Sequence, residues 1–213
     1  MNNSMFRIVS IISFLIVLVL IIRGFTKQPE NSPAIKRWLR LQRQAVFNRG
    51  DGFTSLNYVK SFFYLLAVLA VLIMAFTGFL PVIFLGKHLS GILMILHVTT
   101  APVLAVSLAL LSLFYAQRNI FTQADLESLG GRQRGKEETS HVNIERIIAM
   151  KKIFFWLLIA LSIPLIASIL LSMFNIYGTS GQSFLLHLHG YTALFFVIVA
   201  MAYAYFSILQ SKS

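Results

Sequence analysis

Two histidines, His187 and His189, open the last apolar stretch of the chain, and a third, His97, lies in an earlier one. Imidazole is costly in lipid and persists there when it has a partner or a ligand. No Asp, Glu, Lys or Arg occurs between Lys152 and Lys212, so His187 and His189 stand among apolar residues and tyrosines. Imidazole nitrogens bind transition metals, carry protons and hydrogen-bond between helices. His97 and His189 are expected at matched depth, about 9 Å inside the same boundary. Two rings so placed on neighbouring helices suit the two axial positions of a haem iron. Gly190 and Ala193 beside His189, Ala101 one turn beyond His97, and Gly78 at the same depth would admit a flat macrocycle. The plainer alternative is two side chains hydrogen-bonded across a bundle.

His187 points about 200° away from His189 around a helix, so both cannot address one central site. It reads as a packing or interfacial residue. Two other roles stay open: a quinone or proton path, or the ligand position in place of His189. Lys87 and His88 belong to a turn at the same membrane face. There they would meet haem propionates, where a cation beside carboxylates is favourable, or stand as solvated turn residues. A second haem between His88 and His187 would have mismatched depths and crowd the first. His141 lies in a polar loop and carries no signal.

Other chemistry is excluded or disfavoured. The chain has no cysteine, which removes disulfides, iron–sulfur clusters, covalent c-type haem and thiolate zinc. All seven acids lie in two polar loops. A proton-coupled carrier would usually place an acid within a span. No His-Glu-x-x-His or Ser-His-Asp arrangement is embedded.

The elements that must position these residues follow from composition. Of 213 residues, 57% are hydrophobic and 12% charged, where a soluble domain carries about a quarter charged. The chain is therefore expected to be an all-α, polytopic membrane bundle of five spans. Their expected ranges are about 6–22, 61–85, 92–116, 153–174 and 184–208. The first resembles a signal peptide, but no small-x-small cleavage site follows it, so it reads as a retained span. Pro81 is expected to kink or end the second, and the turn Asn175–Gly181 to divide the fourth from the fifth. The organisation is then an N-terminal span with a basic loop (1–60) and a four-helix membrane domain (61–213).

The net charge of +11 is concentrated in two loops, Arg23–Lys60 and Gln117–Lys152, which hold fifteen of the eighteen Lys and Arg. Such placement orients a protein and meets anionic head groups, so no nucleic-acid partner is expected. Both loops fall on one side of a five-span chain, giving the N-terminus outside and the C-terminus inside. From Pro33 to Leu41, cations alternate with Ile35, Trp38, Leu39 and Leu41. This pattern suits an amphipathic helix on the membrane surface or against a partner.

The segment Leu89–Val98 with Ala101-Pro102 resembles the histidine-bearing helix of bacterial membrane cytochrome b subunits. The segment Gly178-Thr179-Ser180-Gly181-Gln182, with Leu188-His189-Gly190-Tyr191, resembles its partner helix. The group includes the cytochrome b subunits of membrane-bound formate dehydrogenases and nickel–iron hydrogenases, and the resemblance covers roughly 61–210. It implies a subunit of a larger redox complex in the bacterial inner membrane, rather than an enzyme alone. Haem b held by His97 and His189 would pass electrons between a partner oxidoreductase and the quinone pool. Menaquinone or ubiquinone would be the exchangeable substrate, with Gln182, Tyr191 and His187 as candidate contacts. Two-haem members carry histidines on helices matching spans two and four. Here those spans have none, which favours one haem. The competing expectation is a haem-free membrane scaffold or assembly factor.

Overall fold

A computed structural model of the protein describes residues 3–26, 55–86, 89–130, 139–174 and 178–210. Helices account for nearly all of them, with no strand among the described residues. Helix α1 covers Asn3–Thr26 and α2 covers Ser55–Leu80, the latter prolonged by a π-helical turn at Pro81–Leu85. Helix α3 covers Gly91–Tyr115, a 3-10 turn spans Gln117–Asn119, and the short α4 covers Gln123–Leu129. Helices α5 (Thr139–Ser172) and α6 (Gly178–Gln210) complete the chain. Five segments are long and apolar enough to cross a membrane: Ser4–Gly24, Asn57–Leu85, Gly91–Tyr115, Ile144–Ser172 and Gly178–Leu209.

Helix is the form such sequences take because lipid offers no hydrogen bonds, so each backbone group must be satisfied within its own segment. Most hydroxyls buried inside the spans obey the same constraint, although that of Ser10 on α1 has no partner among the described residues. Thr77, Thr99, Thr100 and Ser107 each donate to a carbonyl four residues earlier, at 2.7–2.9 Å. Pro81 has no N–H to give, and α2 widens there into the π turn. Gly86 closes it, with φ 61° and its N–H donating to the Pro81 carbonyl. Glycine is suited to that left-handed position because it has no Cβ to clash.

The helices form two antiparallel hairpins, α2–α3 and α5–α6. Each is closely packed within itself, while contacts between the hairpins, α3 with α5 and α2 with α6, are sparse. Helix α1 lies outside this four-helix unit, against α6 and the π turn. Its anchor is Phe6, 5% exposed, which stacks on Phe79 at 6.3 Å and meets Tyr191 edge-on at 5.2 Å. Phe14 adds an edge contact to Phe79 at 5.2 Å. At its far end, Gly24 sits directly against the Tyr205 ring.

Several boundaries differ from the sequence expectation. Helix α5 begins at Thr139, inside what reads as a loop. Helix α6 begins at Gly178, so Gly178–Gly181 form its first turn instead of the connection before it. The first turn of a helix tolerates glycine and small polar residues, since its N–H groups lack intrahelical partners anyway. The Pro33–Leu41 segment, Lys87 and His88, and the side chain of His141 lie outside the described residues.

The polar connection after α3 is also more ordered than a loop. Thr122 and Asp125 form a capping box on α4: the Thr122 N–H and hydroxyl both donate to the Asp125 carboxylate at 2.7 Å. Lys152 on α5 donates to that carboxylate at 2.5 Å and to the Ile120 carbonyl at 3.1 Å. Trp156 donates through Nε1 to the Asn119 carbonyl at 2.9 Å. Burial alone would raise the Asp125 carboxyl, but the donors from Lys152 and Thr122 outweigh it and hold the group below the usual carboxylate range.

Candidate functional site: a histidine pair in the seam between hairpins

His97 projects from α3 and His189 from α6, so the two rings come from different hairpins and meet in the loosely packed seam. Their centroids are 6.4 Å apart and their planes are inclined by 76°. His97 is the seventh residue of α3 and His189 the twelfth of α6. Equal distances from the helix starts, as expected from sequence, are thus not what aligns them. Helix α6 simply begins further out.

Each ring is held through its Nδ1. Thr77, fully buried on α2, donates its one hydroxyl proton to the Ile73 carbonyl at 2.8 Å. Its oxygen therefore accepts from the His97 Nδ1–H, at 2.8 Å. The His189 Nδ1–H donates to the Leu165 carbonyl of α5 at 3.0 Å. Ser168, 1% exposed, donates to the same carbonyl at 3.0 Å and stands 3.4 Å from His189 Nδ1. Proton accounting then assigns one tautomer to both rings. Nδ1 carries the hydrogen, and Nε2 keeps a lone pair for a ligand. An imidazole whose other nitrogen donates to a protein oxygen is a more basic and better-oriented metal ligand.

The spacing is informative. In a five-membered ring of ~1.33 Å sides each nitrogen lies about 1.1 Å from the centroid. Two nitrogens on opposite sides of one metal, at about 2 Å each, separate the centroids by roughly 6.3 Å. At the observed 6.4 Å the two rings are close enough for both to reach one metal. The remaining lining is apolar: Met74, Phe79, Leu104, Ala193 and Phe196 are among the residues that face the same cavity. Its volume is about 40 Å³, enough for a small ion or one water. Ligand pockets for larger groups run to several hundred Å³. A macrocycle would meet two imidazole donors here, and would enter only with movement of the apolar side chains that fill the seam.

The other residues singled out from sequence are dispersed. His187, Gln182 and Tyr191 do not line the cavity. Tyr191 packs edge-on against Phe6 of α1. Gly190 also faces Phe6, at 3.6 Å from where its Cβ would be, so its small size serves α1 and leaves no room for a cofactor. Ala193 does border the cavity, and Gly78 lies against the His97 ring, its missing Cβ 3.2 Å from Cε1. Sequence reasoning missed Thr77, Leu165 and Ser168. A buried hydroxyl in an apolar span is a usable signal for Thr77 and Ser168, whereas a backbone carbonyl such as that of Leu165 leaves none. No group of three or more His, Cys, Asp or Glu that could hold a metal occurs among the described residues, so the site rests on two imidazoles. No protein-family model matches the chain, and no curated protein or solved structure matches it.

Proposed function

We propose that the protein is a membrane-anchored b-type cytochrome subunit, in which His97 and His189 would hold one haem b. The observation that carries this reading is the pair of buried imidazoles 6.4 Å apart, each with Nδ1 committed to a protein oxygen. When bound, haem b supplies reversible one-electron transfer. The chain's own residues do the rest. Thr77 and the Leu165 carbonyl orient the rings and keep the Nε2 lone pairs available. The apolar lining excludes water. The sparse packing between hairpins leaves a seam that a flat group can part without breaking either hairpin.

As a conduit without a substrate-converting site, the subunit would serve a partner oxidoreductase and the quinone pool in the bacterial inner membrane. Its cation-rich end would face the cytoplasm. Lys87 and His88 are the candidates to meet the haem propionates.

The test is a redox difference spectrum of the full-length protein purified after expression with adequate haem, together with its iron content. A low-spin b-type band is expected. It should vanish in His97→Ala and in His189→Ala and persist in His187→Ala. A wild-type protein that folds with no such band and no iron would point to the haem-free scaffold instead. Loss in His187→Ala with retention in His189→Ala would move the ligand by two residues.

A further inference from the structure

The two hairpins carry one pattern of residues at one spacing. On α2, Thr77 follows Lys60 by seventeen residues, and on α5 Ser168 follows Lys151 by seventeen. His97 comes twenty residues after Thr77, and His189 twenty-one after Ser168. Eleven residues before each histidine stands a glycine in the left-handed region, Gly86 at φ 61° and Gly178 at φ 60°. Around the histidines the sequences agree as Leu-His-x-x-Thr-Ala, from Leu96 to Ala101 in one hairpin and from Leu188 to Ala193 in the other.

The contacts repeat as well. Lys60 Nζ lies 5.8 Å above the Phe114 ring of its own hairpin, and Lys151 Nζ 5.8 Å above the Tyr203 ring of its own. The Thr77 hydroxyl stands 3.3 Å from the carbonyl three residues earlier, that of Met74, and the Ser168 hydroxyl 3.0 Å from that of Leu165. Each hydroxyl oxygen faces Nδ1 of the histidine in its hairpin, at 2.8 and 3.4 Å. Three matched pairs line the cavity: Met74 with Leu165, His97 with His189, and Leu104 with Phe196. Exchanging the hairpins also exchanges the two contacts between them, α3 with α5 and α6 with α2. Both hairpins start at the same membrane face, as in parallel repeats related by an axis along the membrane normal. The copies differ where α1 is added against α6 and the π turn. There Gly190 makes room for Phe6, and its counterpart Val98 is 49% exposed.

We infer that the four-helix domain is a tandem repeat of one hairpin, and that the histidine site consists of two equivalent halves about its axis. Each half is an imidazole on the second helix and a hydroxyl on the first. Ser168 is thereby assigned as a positioning residue of His189, the counterpart of Thr77 for His97. In the first half the Nδ1–H goes to the hydroxyl oxygen. In the second it goes to the Leu165 carbonyl at 3.0 Å, with the Ser168 oxygen as second acceptor at 3.4 Å. A ligand between the rings is then bonded once by each copy. The effect of Ser168 on the ring stands by itself, whereas its effect on a bound ligand rests on the haem reading above.

The full-length protein is prepared without haem, and the ring nitrogens of its histidines are read by NMR. Both rings should show a protonated Nδ1 and a free Nε2. Ser168→Ala should raise the opposite tautomer of His189 about three- to tenfold and leave His97 unchanged; Thr77→Val should do the same to His97 alone. Ser168→Thr, which copies the other half, should keep the wild-type signals. Ser168→Ala combined with Ile169→Ser offers a hydroxyl one residue out of register and should restore nothing. Ser168→Cys, close in size and a weak acceptor, serves if Ser168→Ala misfolds. With haem supplied, Ser168→Ala should weaken its retention about tenfold. A protein that takes up no haem yet shows the tautomer shifts would sink the haem reading and support the paired halves. His189 unmoved in Ser168→Ala while His97 responds to Thr77→Val, or rescue by the out-of-register hydroxyl, would overturn the inference.

Discussion

The two ends of the hairpin seam use polar side chains in opposite ways. At the histidine end, each imidazole is matched inside the bundle: His97 to Thr77, and His189 to the Leu165 carbonyl. What is left over is the Nε2 of each ring, on two residues that border an apolar cavity, which suits an electron acceptor such as a metal. At the cation-rich end the contacts are of another kind: Lys152 is bonded to the Asp125 carboxylate and Lys151 lies over the Tyr203 ring. One sequence feature, a polar residue at an apolar helix, therefore serves two different ends.

The strongest way to break this contrast is to remove a lone pair. His97→Ala or His189→Ala should abolish the low-spin absorbance altogether, while Tyr203→Phe should leave it at wild-type intensity. A spectrum altered equally by both changes would mean that the two ends are coupled.

The next largest effect is expected beside the cation-rich end, at Asp125. Its carboxyl is held below its unfolded value, so it contributes stability that is present above the unfolded pKa and lost as pH falls through the folded one. Asp125→Asn should cost about 1–3 kcal/mol near neutral pH, from the lost charge-assisted bonds to Lys152 and the weakened cap. Wild type and variant should converge in acid. Hydrogen exchange in α4 as a function of pH checks this, and a pH-independent difference would contradict the pairing.

A smaller effect separates positioning from packing at the histidine end. Thr77→Val keeps the shape but removes the acceptor for His97 Nδ1–H. The imidazole becomes a poorer donor, so the midpoint potential of the proposed haem should rise by about 30–60 mV, a three- to tenfold change in a one-electron equilibrium. Thr77→Ser should restore most of it. An unchanged potential in Thr77→Val would reduce Thr77 to a packing residue. The smallest effect belongs to Gly78→Ala. The added Cβ would lie 3.2 Å from His97 Cε1, so the ring must shift by a few tenths of an ångström. Slight broadening of the spectrum is expected with little loss of stability, and wild-type line shape would show that the ring adapts freely.

Much of the fold was legible because lipid simplifies the code. An uncharged apolar run of sufficient length becomes a helix, and five such runs were visible. The ends of the helices were less legible. Thr139 to about Lys152 and Gly178–Gly181 read as loop from their polarity, yet they extend α5 and α6 beyond the apolar stretch. Charge and small polar residues mark where lipid ends, and a helix can continue past that point. Of the candidate site, the two histidines were visible, and the estimate of their depth placed them at a common level for the wrong reason. Gly190 was misassigned because a small residue beside a histidine does not reveal which neighbour uses the space. Here it is Phe6, from the far end of the chain.

By itself, the sequence determined that this chain makes five apolar helices, gathers its cations at one end, and commits imidazoles to lipid depth. These are properties of composition along the chain, enforced by the cost of an unsatisfied polar group or charge in hydrocarbon. Only the tertiary structure decided that α2–α3 and α5–α6 pack as tight pairs with a loose seam between them. Only it showed that His97 and His189 face each other across that seam, and that Thr77 and the Leu165 carbonyl take their Nδ1 protons. The reason is physical: a tautomer and a ring-to-ring distance depend on which helix faces which, and lipid accepts either face of an apolar helix.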